Sequence, residues 1–166
     1  GGAVGTLATL GDKALDVRRE MMAVLDLGEP DISWHTARDG LAEVIFWIAM
    51  VTTTLAKIAN EVAILMRTEI DELREPYQPG RGASSTMPQK RNPIACQPIM
   101  AAAHRLRELS SCGLSIMIQE HERPVGPMHL EWSIVPDAFL YASGAFMHAR
   151  NILEGLTVDA KNMKRN

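Results

Sequence analysis

Two serines, a threonine, a lysine and an asparagine crowd into residues 84–92: Ser84, Ser85, Thr86, Lys90 and Asn92. A serine hydroxyl can work as a base only when its alkoxide is stabilised by cations or by oriented N–H groups. Lys90 offers a point charge and Asn92 an amide, both suited to a carboxylate. Gly80 and Gly82 precede the run, Met87 and Pro88 interrupt it, and Pro93 closes it. A donor-rich loop attached to a helix start can grip and release an anion. On residue types alone, a solvated surface loop is the simpler account. The same holds for a second polar cluster, Gln119-Glu120-His121-Glu122-Arg123, which reads first as a charged helix end.

Long helices must position these clusters. The chain has 166 residues, enough for one domain with a real core. Hydrophobic residues make up 46% but aromatics only 5%, so Ala, Leu, Ile and Met carry the apolar load and favour helix over sheet. The spacing of Leu7, Leu10, Ala14, Val17, Met21 and Leu25 predicts a first helix over 3–26, ended by Gly28, Pro30 and Asp31. A second, over 35–74, carries Leu41, Val44, Ile48, Val51, Leu55, Ile58, Val62 and Leu65 at alternating steps of three and four. Thirty-odd residues of helix span roughly 50 Å and need long partners, in this chain or in other copies.

The loop fills 75–92. Asn92 suits an N-cap and Pro93 a first helical position, which predicts a third helix over 93–118 with a kink at Pro98. Residues 119–129 break the pattern. A fourth helix follows to about 154, distorted near Pro136 and stopped by Gly155. Residues 157–166 read as the start of a further helical domain, after a central domain over 1–156. No run alternates at period two, so no sheet is expected. The fold class is all-α, a long helical bundle.

The net charge of −3 argues against a nucleic-acid partner. Cys96 and Cys112 lie 16 apart outside any CxxC pattern, which points to free thiols in a reducing, cytoplasmic setting. No cluster has metal-ligand spacing. No apolar run reaches the ~18 residues of a membrane span. The start Gly1-Gly2-Ala3 lacks a signal peptide's charged region, and a start without Met suggests a fragment or a processed piece. His104 and His148 sit at helical spacing as structural residues, and His129 lies near the break without an assigned role.

The string Ser84-Ser85-Thr86-Met87-Pro88-Gln89-Lys90-Arg91-Asn92-Pro93 resembles the signature of the fumarase/aspartase superfamily, Gly-Ser-Ser-x-x-Pro-x-Lys-x-Asn-Pro. Only the leading Gly differs, being Ala83 here. The resemblance implies an all-α homotetramer built on a shared bundle, with active sites at subunit junctions. It implies Ser84 as catalytic base and Lys90 and Asn92 as grips for substrate carboxylates, with Ser85, Thr86 and Met87 beside them. It also implies Arg123 as a substrate-binding residue, with Gln119 nearby. His121 either donates to substrate or pairs with a carboxylate. Arg38 either faces substrate or forms a structural ion pair. No cofactor is implied.

One branch, the bacterial 3-carboxy-cis,cis-muconate cycloisomerases, is resembled further. The shared strings are Gln119–Arg123 followed by Glu131-Trp132, the opening Gly-Gly-Ala-x-Gly-Thr-Leu-Ala, and Trp34-His35-Thr36-x-Arg38-Asp39. Fumarate-releasing members commonly carry Glu seven residues after the motif Lys, pairing a catalytic His; Gln97 stands there and supplies no charge. The expected reaction is therefore lactonisation of a small polycarboxylate in protocatechuate breakdown. Two alternatives are a fumarate-releasing lyase acting on a succinyl-amine such as adenylosuccinate or argininosuccinate, and an inactive scaffold. The superfamily's other motif regions, each with a His, are expected before Gly1, and its C-terminal domain after Asn166. The 166 residues alone are expected to be inactive.

Overall fold

The structure, a computed structural model, describes residues 1–32, 34–77, 80, 82, 84–87 and 90–166. Motif positions Ala83, Pro88 and Gln89 lie outside the described residues. The fold is helical, as the composition predicts. A short 3-10 helix, Ala8–Lys13, leads into α1, Ala14–Leu25; the long helices are α2, Asp39–Leu65, α3, Cys96–Ser115, and α4, Pro127–Gly155. A final short helix, α5, covers Ala160–Arg165.

Helices α2, α3 and α4 run up, down and up, and each packs on the other two. Two core clusters lie along them. Ala59, Val62, Cys96, Ile99, Ala102, Ala145, Ala149 and Ile152 fill the end next to the loop. Ile45, Ile48, Ala49, Leu106, Leu109, Ile116, Ile134, Ala138 and Ala142 fill the far end. Small alanines on facing sides let the helices approach closely, while one branched side chain per turn fills the gap between them.

Several expectations need correction. The first helix does not cover 3–26. Gly11 takes a φ of 53° and a ψ of −140°, which breaks the helical hydrogen-bond ladder, and regular α-helix begins only at Ala14. None of the residues of α1 is buried, so among the described residues its apolar stripe is not covered. Helix α2 stops at Leu65 rather than at 74. Asp71 adopts a left-handed φ of 52°, the Glu72 N–H returns to the Leu65 carbonyl at 3.0 Å, and Leu73 enters the core in extended form.

The expectation of no sheet also fails at small scale. Strand β1, Leu73–Arg74, pairs antiparallel with β2, Thr157–Val158. Pro98 makes no break. It lies in the first turn of α3, where a missing N–H costs no helical bond, and the helix continues to Ser115. Pro136 does sit inside α4, which ends at Gly155 as expected. There a Cβ would come within 2.6 Å of the Pro76 ring, so only glycine lets the loop's first residues pass that closely.

The heptad stripe of α2 is divided. Ile48 and Val62 are buried, but the face packed on α3 and α4 is centred on Ala42, Ile45, Ala49, Thr52 and Ala59. Val44, Trp47, Met50 and Ile58 are 40–58% exposed on the opposite side. By length and composition alone, contrary to the expectation from run length, α2 is long and apolar enough to cross a membrane. In the fold one face of it packs mainly on α3 and less on α4, and the other face is exposed.

Candidate active site

The loop chemistry begins with Ser84. Its Oγ accepts the N–H groups of Thr86 and Met87 at 3.3 and 3.1 Å, and the Thr86 hydroxyl stands 3.3 Å away. Backbone donors aimed at one oxygen favour its anionic form, as a serine base requires. Ser85, Thr86 and Met87 are exposed around it. The Lys90 side chain is exposed, and its backbone N–H bonds the Met87 carbonyl at 3.0 Å.

Asn92 does not cap α3, contrary to expectation. Its amide nitrogen donates instead to the Gly82 carbonyl at 3.0 Å, tying the two sides of the loop together. The cap comes from Glu75. Its carboxylate accepts the Ala95 N–H at 3.2 and 3.0 Å and the Cys96 N–H at 2.8 Å. A carboxylate suits the positive helix end, and this one is contributed from across the loop rather than from the preceding turn.

A cavity of about 810 Å³ opens between the end of α2, β1 and the loop. Lys90, Arg67, Arg74 and Arg91 supply its cations, and Asp71 and Glu75 its carboxylates. Arg91 stacks over the Tyr77 ring at 4.1 Å. Arg74 grips Asp71 at 2.8 and 2.5 Å, and that hydrogen bond holds the Asp71 carboxyl below its ordinary range. Ser84 is not among the lining residues, so the cavity and the serine are neighbouring features of one loop.

The other predicted residues stand at the far end of the bundle. Arg38, just before α2, bonds Glu131 of α4 at 2.6 Å, with each side chain only 11% exposed. It also donates to the Trp34 carbonyl at 2.9 Å. Of the two readings for Arg38, the structure shows the ion pair. Arg123 donates to the Ala3 carbonyl at 2.8 Å. His121 is exposed, with a left-handed φ of 48°. Gln119 turns its amide nitrogen onto the Ile116 carbonyl, which closes the end of α3. Burial first, and the positive charges of Arg38 and Arg123 with it, lower the pKa of His35.

The structure therefore brings Ser84, Ser85, Thr86, Met87, Lys90 and Asn92 together, and Arg38, Gln119, His121 and Arg123 together, but not the two groups. Helix α3 separates them, and its twenty residues span roughly 30 Å. Gln97 is exposed in the first turn of α3. His129 bonds the Val125 carbonyl at 3.1 Å and meets the Trp132 ring edge to face. Both cysteines are free thiols. Among the described residues no group of three His, Cys, Asp or Glu could hold a metal ion. Residue types did not reveal the role of Glu75; the signal available was a carboxylate followed by proline at the loop's entrance.

Residues 1–107 match the family model described as Lyase. The chain belongs to this lyase family. Its fold and signature loop are those of the fumarase/aspartase superfamily, and its resemblance to the muconate-cycloisomerase branch extends over the whole chain. The 3-carboxy-cis,cis-muconate cycloisomerase of Pseudomonas putida is 45% identical over all 166 residues, which cover 39% of that protein. The N-acetyl-S-(2-succino)cysteine lyase of Enterococcus italicus is 39% identical over 165 residues, 99% of this chain and 36% of that one. The crystal structure of 3-carboxy-cis,cis-muconate lactonizing enzyme from Pseudomonas putida superposes with a TM-score of 0.87 at 42% identity, over all of this chain and 36% of that one. The chain thus spans just over a third of the length of these lyase-family relatives.

Proposed function

We propose that the protein of which this chain forms the helical core is a cycloisomerase converting 3-carboxy-cis,cis-muconate to a carboxymuconolactone in aromatic catabolism, through the β-ketoadipate route. The observation that carries the reading is the Ser84 Oγ held by two backbone N–H groups, in one short loop with Lys90 and Asn92. One substrate carboxylate adds across a conjugated double bond, and charge develops on a neighbouring carboxylate as an enediolate-like form. Lys90, Asn92 and Arg123 hold that charge, and stabilising it more than the ground state speeds the step. Ser84 moves the proton at carbon. The Asn92 amide must leave Gly82 to reach substrate, so closure over substrate exchanges one hydrogen bond for another. No cofactor takes part.

The partner is a second copy of the chain, in a cytoplasmic homotetramer. Two facts support this: the roughly 30 Å between the halves of the site, and the outward apolar face of α2. A fumarate-releasing lyase is the second reading, supported by the similarity to a succinocysteine lyase. Against it stands Gln97, where a charged partner for a proton-donating His is expected. Incubating the full-length protein with the muconate and with succinyl compounds tests the choice. Loss of muconate absorbance without fumarate is expected; rapid fumarate release from a succinyl compound contradicts the proposal, and no turnover of either favours an inactive scaffold.

A further inference from the structure

We propose that Glu75 is a positioning residue that closes the neck of the 76–94 loop and so sets where Lys90 and Asn92 stand. The inference rests on reading the loop as a carboxylate-binding element. One side chain reaches 20 and 21 residues along the chain to take the Ala95 and Cys96 N–H groups. The Cys96 thiol is buried beside the same carboxylate; burial first, then the neighbouring Glu75 carboxylate, push its pKa up and keep it protonated. Two backbone N–H donors thus converge on the two carboxylate oxygens at the base of the loop.

Both ends of the neck are anchored to the bundle. On the entering side, Leu73 and Arg74 pair with Val158 and Thr157, and Pro76 lies against Gly155. On the leaving side, Ala95, Cys96 and Ile99 are core residues. Glu75 joins one anchor to the other. Farther out, the Asn92–Gly82 bond makes a second tie, and a Cβ on Gly82 would come within 3.1 Å of Ile94, so the two sides are already in close contact there. Lys90 and Asn92 lie only a few residues beyond the clasp, and an error at the neck is carried to both. A glutamine at 75 keeps one acceptor oxygen where the carboxylate has two; an aspartate keeps both oxygens but stands one methylene short.

The test compares Glu75→Gln and Glu75→Asp with the parent in the full-length protein, by steady-state kinetics, thermal melting and peptide-resolved alkylation of Cys96 and Cys112. A clasp predicts on the order of tenfold faster labelling of Cys96 in Glu75→Gln, with Cys112 and the melting temperature little changed. It also predicts a KM raised by roughly tenfold, with Glu75→Asp between the two. A purely structural role lowers apparent kcat through loss of folded enzyme and leaves KM alone. An unchanged KM, or Cys112 labelling that rises as much as Cys96 labelling, overturns the proposal. A parent protein inactive on the muconate sinks the proposed reaction alone; the KM comparison then runs on its succinyl substrate, and the labelling comparison needs no substrate.

Discussion

The two ends of the bundle use charge in opposite ways. At the loop end, backbone groups arrange the reactive side chains: two N–H groups donate to Ser84 and a carbonyl accepts from Asn92. At the far end, side chains hold one another: Arg38 is locked to Glu131 with little solvent on either, and Arg123 closes onto the Ala3 carbonyl. On the function proposed above, the loop end changes partners when substrate arrives, whereas the far end is already held by its own side-chain contacts.

Substitutions sharpen this contrast, beginning with the largest effect. Ser84→Ala in the full-length protein is expected to lower kcat at least ~10²-fold while shifting the melting temperature by about a degree or less. Activity retained in that variant breaks the assignment of the base. Arg38→Met, which strands Glu131, is expected to do the reverse and destabilise the fold by roughly 2–4 kcal/mol in chemical denaturation. If Arg38→Met leaves stability intact and abolishes turnover, Arg38 is a substrate residue and the contrast fails. Gly155→Ala forces a methyl onto Pro76 and is expected to cost about 1–3 kcal/mol, with some loss of activity through the loop neck.

The smallest effect is one of pH. The folded state resists protonating His35, while the unfolded chain takes the proton near its ordinary value of 6.5. The contribution is therefore fully present above about pH 6.5 and is lost as pH falls below it. Melting temperatures between pH 5 and 8 should show that slope in the parent, flattened in His35→Gln. A slope unchanged by the substitution rules His35 out as its source.

Much of this arrangement was legible in the sequence, and what was not had physical causes. The long apolar period gave α2, and Gly155 marks the end of α4 as expected, because these signals are local. Asn92 was misread as a cap because residue type permits it, whereas the choice between Asn92 and Glu75 depends on a contact across the loop. The end of α2 was placed too late because Asp71 and Leu73 are ordinary residues until a partner strand and a core position decide their conformation. Which face of α2 packs inward could not be read from a helix apolar on two sides. The splitting of the site residues between two ends followed only once α3 was seen to lie between them.

That separation carries the central claim, that a complete site takes its loop from one chain and its Arg123 end from another. Full-length Ser84→Ala and Arg123→Ala proteins, each inactive, can be mixed one to one, dissociated and reassembled. If the halves come from different chains, random assembly restores roughly a quarter of the parental activity, because some junctions pair an intact loop with an intact Arg123. If both residues serve one site within a single chain, every site lacks one of them, and a mixture as inactive as its two components contradicts the account.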